Sequence, residues 1–288
     1  MVLSTSKLLR LLEKINEKFP RLQRISAYAL PKNLNNKTEQ ELKSIVDAGL
    51  KLIYVGVESG DDELLKLVNK GETFNSTADG LLLAKKAGLR IGLTGSIAVD
   101  RTMQTSDKAI FACGDCAEKI SFFGGRPSPL KLASIATFEA RIVGANLFSI
   151  RRENVGTVGV WSTAVGEVAL ATAGLTEAMA REHGYDVVAT TIEGPNRHPG
   201  AMPGATNTKA KLVFERNSGV ILGGQIMGDA AAGEIINAIS ACVQSRMTAE
   251  DIATFQVGTH PALTASPIAY HMVNAAEMAI KQMHKQGA

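Results

Sequence analysis

The first ninety residues alternate amphipathic stretches with nearly continuous apolar ones. Leucines and isoleucines recur at helical spacing and predict a helix from about residue 5 to residue 18, which Pro20 ends. The stretches RISAYAL at 24–30 and LKLIYVGVES at 50–59 predict strands. The second is apolar almost throughout, which is typical of a strand covered on both faces.

The segments between and after these strands contain residues that are typical of the starts and ends of helices. Thr38 followed by Glu41 predicts a capping box and a helix that Gly49 ends. Further helices are predicted over 61–69 and 76–88, before LRIGL returns to extended structure. This order indicates βα units and a partial parallel sheet, so the N-terminal part is predicted to be α/β.

The middle of the chain predicts one further strand and one long helix. AIFACGD at 109–115 has the composition of a strand that ends at a glycine and an aspartate. Ser128 followed by Pro129 predicts the start of a helix that runs through LKLASIATFEARIVGANLF.

From about residue 154 the pattern changes to alternating strands. GTVGVWST, EVALATAG and YDVVATTIEG precede the hairpin KAKLVFERNSGVILGGQIMG, whose turn lies at 216–219. Thr176 opens a short helix, and longer helices are predicted at the end of the chain, over 231–246, 248–254 and 267–285. An antiparallel sheet with helices packed on it is an α+β domain.

Charge and composition argue against a nucleic-acid-binding protein, a membrane protein and a disulfide-rich protein. The 31 basic and 28 acidic residues are scattered and give a formal net charge of +3, without the basic stripe that predicts nucleic-acid binding. No window of about 18 apolar residues predicts a membrane span, and the N-terminus is unlike a signal peptide. Three cysteines are too few for a disulfide framework. We expect a cytoplasmic protein without a nucleic-acid or membrane partner.

The segment YVGVESGDDELLKLVNKGET at 54–73 resembles the middle of the partial barrel of radical S-adenosylmethionine enzymes. By that resemblance Glu58 lies beside S-adenosylmethionine. That family holds its [4Fe-4S] cluster with three cysteines near the start of the barrel, and no cysteine precedes Cys113 in this chain. No iron-sulfur cluster is therefore expected. The alternative is that Glu58 only ends a strand before the helix at 61–69.

The stretch IAVDRTMQTSDKAIFACGD at 97–115 resembles the second flavin-binding motif of the FAD-dependent pyridine nucleotide-disulfide oxidoreductases. The resemblance implies that Gly114 lets the backbone approach FAD and that Asp115 accepts hydrogen bonds from its ribityl hydroxyls. It also places the backbone of Leu132 and Ala133 at a helix N-terminus that faces the flavin. The alternative for this helix is an ordinary core helix.

Cys113 and Cys116 form a C-x-x-C pair, which elsewhere indicates a redox or zinc site. No second C-x-x-C and no paired histidines accompany it, and the redox cysteine of the resembled family lies far upstream of this position. We therefore favour buried, unreactive thiols.

Residues 153–288 resemble the dimerisation domain of the same flavoproteins, of the NADH oxidase and coenzyme A-disulfide reductase type. The matching segments include GLTEAMAREHGYDV and AAGEIINAISACVQSRMTAEDIA. The resemblance implies a homodimer through this domain. His260-Pro261 matches the pair whose histidine serves as an acid-base catalyst in some members, although Ala265 stands where the orienting glutamate would be.

These resemblances divide the chain into a radical-SAM-like βα region at 1–92, a C-terminal piece of an FAD-binding domain at 93–152 and a dimerisation domain at 153–288. No G-x-G-x-x-G fingerprint occurs, so we expect a partial FAD site and NAD(P)H only if another domain supplies it. The stretch LLLAKKAGLRIGLTG at 81–95 suits both families, because each places a helix, a glycine and a strand there.

Three functions follow from this division. We expect an incomplete flavoprotein-type oxidoreductase relative that acts as an FAD-contacting dimerisation portion. The alternatives are a non-catalytic homodimerising module, which light scattering would test, and a degenerate radical-SAM-like domain that binds S-adenosylmethionine through Glu58, which calorimetry would test.

Overall fold

The computed structural model describes residues 3–22, 25–29, 31–55 and 89–285. The chain divides into two compact units, Met1–Thr157 and Val158–Ala288. The helices predicted over 61–69 and 76–88 lie outside the described residues, as does Glu58. Within the described part, no helix is long and apolar enough to span a membrane.

The N-terminal residues of the first unit are mostly helical. Their elements are, in chain order, helix α1 (Thr5–Lys18), strand β1 (Ile25–Ala29), helices α2 (Pro31–Asn35) and α3 (Glu39–Asp47), and strand β2 (Leu50–Val55). β1 and β2 pair in parallel, and no further strand of the predicted βα units falls on residues 3–55. Leu8 and Leu12 of α1 pack with Ile45 of α3 and Leu50 of β2.

The capping box predicted at Thr38 is confirmed. The Thr38 hydroxyl accepts the Glu41 N–H at 3.2 Å, and the Glu41 carboxylate accepts the Thr38 N–H at 2.9 Å. The predicted helix over 5–18 is confirmed as well. Both signals are local, so they act within one or two turns of the chain.

Residues 89–157 of the first unit have little regular structure apart from one long helix. A 3-10 turn (Gly114–Cys116) leads to the short antiparallel strands β3 (Lys119–Ile120) and β4 (Pro127–Ser128), and helix α4 (Ala133–Asn146) follows. Ile142 and Val143 of α4 pack on Met103 and Phe111.

Two predictions for this segment are wrong. AIFACGD is not a strand, because only Phe111 forms a bridge, to Gln104, before the chain enters the 3-10 turn. The long helix does not begin at Ser128 and Pro129. Ser128 belongs to β4 opposite Lys119, so the helix starts five residues later, at Ala133.

The second unit is a five-stranded antiparallel sheet with helices, as predicted. Its strands are β5 (Val160–Val165), β6 (Val168–Gly174), β7 (Val187–Pro195), β8 (Asn207–Glu215) and β9 (Ile221–Gly228), in the order β5-β6-β9-β8-β7. Its helices are α5 (Glu177–Glu182), α6 (Ala232–Gln244), α7 (Ala249–Ala253) and α8 (His271–His284). Thr176 caps α5 by accepting the Met179 N–H.

The core of the second unit lies between this sheet and its two long helices. α6 packs on β6 and β9, and α8 packs on β7 and β8. Leu212, Phe214 and Ile226 of the sheet are almost fully buried, as are Ile236 and Ile239 of α6. The final helix begins at His271 rather than at 267, because Pro267–Ala269 forms a separate 3-10 turn.

Candidate functional site

The turn at Gly114–Cys116 depends on the conformation of Gly114. Its φ is +75°, in the left-handed region that glycine adopts without steric cost. The residue is buried, and a Cβ built on it would lie 3.5 Å from Cβ of Ala136 in α4. The left-handed φ therefore explains glycine at this position, since a Cβ would make only an ordinary van der Waals contact with the helix. Asp115 follows it and is partly exposed.

A buried ion pair lies directly behind this turn. Nζ of Lys119 is 3.0 Å from Oε2 of Glu139, and the two side chains are only 2% and 0% exposed. The same Oε2 accepts the Gly114 N–H at 2.8 Å. Nζ of Lys119 also donates to the carbonyls of Gly114 and Ala117, the latter at 2.9 Å. Charged side chains are almost never this buried unless they are paired.

Neither Lys119 nor Glu139 was among the residues predicted from the sequence. One signal was available, because Glu139 stands four residues after Ile135 and three before Ile142, on the apolar face of α4. A carboxylate at such a position needs a buried partner. Burial raises the pKa of the Glu139 carboxyl, while Lys119 and the Gly114 N–H act in the opposite direction.

The thiols beside the turn are held in their protonated form. Burial, followed by the neighbouring Cys116 and Glu139, raises the pKa of Cys113 to about 11. Burial also raises the pKa of Cys116, whose Sγ donates to the Cys113 carbonyl at 3.3 Å. Such thiols are poor nucleophiles and poor metal ligands at neutral pH. Among the described residues, no group of three or more His, Cys, Asp or Glu side chains could hold a metal ion.

Helix α4 packs against the same turn through Ala136 and Glu139, in its first two turns. Leu132 is the N-cap residue and has no side-chain capping hydrogen bond, and Ala133 is the first helical residue. The first N–H groups of a helix have no partner within the helix, so this end favours negative charge and hydrogen-bond acceptors. Gly114, Asp115, Leu132 and Ala133, which the sequence singled out, therefore come from two adjoining elements.

The loop before the turn is organised by Asp100. Its carboxylate accepts the N–H groups of Thr102 at 2.8 Å and Gln104 at 3.1 Å, and Lys108 approaches its second oxygen to 2.8 Å. These bonds fold the loop so that Gln104 reaches Phe111.

His260 lies in the second unit, on an exposed loop. Its backbone N–H donates to the Thr264 hydroxyl at 3.1 Å, and its Nδ1 accepts the Ala262 N–H at 3.2 Å. Ala265, near which the resemblance predicts an orienting glutamate, is buried. The acid-base role of His260 stays a prediction.

Two family models match the chain. Residues 160–269 match the pyridine nucleotide-disulphide oxidoreductase dimerisation domain, which covers the five-stranded sheet and helices α5 to α7. The chain is a relative of the FAD-dependent pyridine nucleotide-disulphide oxidoreductases. Residues 5–107 match the radical SAM superfamily. Both resemblances predicted from the sequence are confirmed.

The similarity to curated oxidoreductases extends beyond the dimerisation domain. An NAD(P)H coenzyme A polysulfide/persulfide reductase of Pyrococcus horikoshii is 29% identical over 214 residues, 72% of this chain and 48% of that protein. An NADH oxidase of Enterococcus faecalis is 33% identical over 159 residues, 55% of this chain and 35% of that protein. The chain thus spans about half the length of the curated relatives it matches, or less.

Solved structures of oxidoreductases share this fold. A persulfide reductase of A. fulgidus superposes with a TM-score of 0.66 at 24% identity, over 95% of this chain and 58% of that one. An FAD-dependent pyridine nucleotide-disulphide oxidoreductase of Desulfovibrio vulgaris superposes with a TM-score of 0.56 at 29% identity, over 71% of this chain and 46% of that one.

Proposed function

We propose that this flavoprotein relative is the FAD-contacting and dimer-forming portion of an NAD(P)H-dependent oxidoreductase. In this proposal Asp115 accepts hydrogen bonds from the ribityl hydroxyls of FAD, and the N-terminus of α4 at Leu132 and Ala133 faces the pyrimidine edge of the flavin. The observation that carries the proposal is the packing of α4, whose N-terminus has no side-chain cap, against the Gly114–Cys116 turn.

The residues at the turn suit the flavin end of FAD. Gly114 turns the chain with its φ of +75°, and Asp115 is partly exposed beside it. The helix amides match acceptor atoms that gain negative charge on reduction. The pyrophosphate of FAD would need a glycine-rich turn at another helix, and no G-x-G-x-x-G occurs in the sequence. The fit therefore concerns the ribityl chain and the flavin ring.

When bound, FAD would supply the hydride-accepting chemistry of such an oxidoreductase. In this proposal the chain binds and orients FAD and stabilises negative charge at one edge of the flavin ring. Cys113 and Cys116 have no nucleophilic role in this proposal, because their thiols stay protonated at neutral pH.

The proposal predicts FAD binding that depends on Asp115. Titration of the full chain with FAD, followed by quenching of flavin fluorescence, should give a saturable curve. Asp115→Asn keeps the shape but removes the charge, so it should weaken binding about tenfold or more, the usual effect of losing charged hydrogen bonds.

Asp107→Asn is the matched control, because Asp107 is exposed and lies eight residues earlier. Its side chain accepts the Ala109 N–H, a role that asparagine retains. It should bind FAD like the wild type. The proposal fails if the wild type binds no FAD at high concentration, or if both variants bind as it does.

A second candidate function is homodimerisation without catalysis, which the dimerisation-domain match over residues 160–269 favours. Light scattering on the FAD-free chain should then give a mass twice that of the 30.5 kDa chain. The dimer should persist on dilution whether or not FAD is added. A monomer over the whole concentration range would contradict this function.

A further inference from the structure

The buried Lys119–Glu139 pair has a geometry that a stabilising core contact does not require. Nζ of Lys119 uses its three N–H donors on Glu139 and on the carbonyls of Gly114 and Ala117. Oε2 of Glu139 accepts both Lys119 and the Gly114 N–H. Oε1 of Glu139 is buried and has no hydrogen-bond partner in the described part of the chain.

Burying an ion pair in a protein core has a large cost in free energy. Two buried charges lose their hydration, and their attraction compensates only when the geometry and the hydrogen bonds are nearly complete. Replacing a pair of this kind by apolar residues is often neutral for stability. Stability therefore does not explain why the pair lies at this position. The backbone groups that the two side chains bind provide the explanation.

Both polar backbone groups of Gly114 are held by this pair. Glu139 accepts its N–H, and Lys119 donates to its C=O. The peptide groups on both sides of Gly114 are thereby fixed, and with them the φ of +75° that turns the chain into Asp115. Glu139 belongs to α4, so the pair also joins the turn to the helix whose first residues are Leu132 and Ala133.

We propose that Lys119 and Glu139 are positioning residues, which hold the Gly114–Asp115 turn against α4 so that the Asp115 carboxylate meets the ribityl hydroxyls of FAD. This inference rests on the proposed FAD binding and adds two residues that do not touch the cofactor. In it, the turn and the helix end form one preorganised surface, so FAD binding does not have to order them.

Two double variants test the proposal. Lys119→Met with Glu139→Gln removes both charges and keeps an acceptor for the Gly114 N–H. Lys119→Met with Glu139→Leu removes the charges and the acceptor. Val143→Ala is the control, because it removes buried apolar atoms from the same helix without touching Gly114. Each full-length variant is assayed for FAD affinity by fluorescence quenching and, without FAD, for the exchange rate of the Gly114 amide.

The double variant that carries Glu139→Leu should bind FAD about tenfold or more weakly than the wild type and should exchange the Gly114 amide faster. The double variant that carries Glu139→Gln should recover most of both losses. Val143→Ala should lower stability and leave FAD affinity unchanged. The proposal is overturned if both double variants fold, bind FAD like the wild type and leave the Gly114 amide protected.

A measurement on the wild type keeps the proposal testable if a double variant does not fold. In FAD-free protein the Gly114 amide should exchange about a hundredfold or more slowly than that of Gly124, which lies on an exposed turn. Equal exchange rates would refute the positioning role. A wild type that protects Gly114 but binds no FAD would refute the proposed function, while it would leave the rigid turn established.

Discussion

Replacement of Lys119 alone by methionine is expected to destabilise the first unit by about 3–5 kcal/mol, the usual cost of breaking a buried ion pair from one side. Methionine fills a similar volume but leaves the Glu139 carboxylate buried without a cation. It also removes the donor that serves the Gly114 and Ala117 carbonyls. Urea unfolding at pH 7, followed by circular dichroism, measures the loss.

The control for this variant is Lys108→Met. Lys108 and Asp100 form an equally short pair at 2.8 Å, but their side chains are 69% and 42% exposed. Breaking a pair in water costs about 1 kcal/mol or less. The double change of Lys119→Met with Glu139→Gln should recover much of the loss, since no unpaired charge remains. A Lys119→Met protein as stable as Lys108→Met would show that the buried pair is not formed.

The penalty of Lys119→Met should also depend on pH. Burial raises the pKa of Glu139 in the folded state, and loss of the neighbouring cation raises it further. Because the pKa of Glu139 is higher in the folded than in the unfolded state, the folded protein binds this proton at a higher pH. The penalty is therefore small below the ordinary pKa of a carboxyl group and grows as the pH rises through the folded pKa. Unfolding curves at pH 4 and pH 7 would distinguish the two regimes.

Replacement of Gly223 by alanine is expected to destabilise the sheet of the second unit by about 3 kcal/mol, at the upper end of the cost of overpacking. Gly223 pairs with Gly174 of β6 and Val213 of β8. A Cβ there would lie 2.3 Å from the Leu175 carbonyl oxygen, 2.6 Å from the Leu175 nitrogen and 2.7 Å from the Ala173 oxygen. All three are backbone atoms, so no side-chain rotation relieves the clash.

Urea unfolding followed by tryptophan fluorescence measures this effect, because Trp161 is the single tryptophan of the chain and lies on β5 of the same sheet. Gly258→Ala is the control, since apart from its chain neighbours no atom of the described residues lies within 4 Å of the Cβ it would add. Its effect should stay within about 0.5 kcal/mol. Equal stability of the two variants would contradict the close approach of β9 to the chain at Leu175.

Several features of the fold were predictable because their causes are local. The Thr38 capping box links residues three apart, and the helix over 5–18 follows from a pattern that repeats every turn. The hairpin of β8 and β9 joins strands separated by a short turn at 216–219. Each of these signals is complete within a few residues.

The errors have a common cause. Ser128 and Pro129 carry the chemistry of a helix start, but Ser128 pairs with Lys119 in β4, and this contact with an earlier segment delays the helix to Ala133. AIFACGD has the composition of a strand, yet a strand needs a partner along its length. The described chain offers Phe111 only a single bridge.

The sequence by itself determined the resemblances to two families, the antiparallel sheet of the second unit and the motif that ends at Gly114 and Asp115, because each depends on contiguous stretches of residues. Only the tertiary structure decided which side chains bind the backbone of that motif. Lys119 and Glu139 are twenty residues apart, and folding brings them to 3.0 Å around the backbone of Gly114. The sequence places Glu139 on an apolar helix face but does not show that Lys119 is its partner, since burial and pairing are properties of packing.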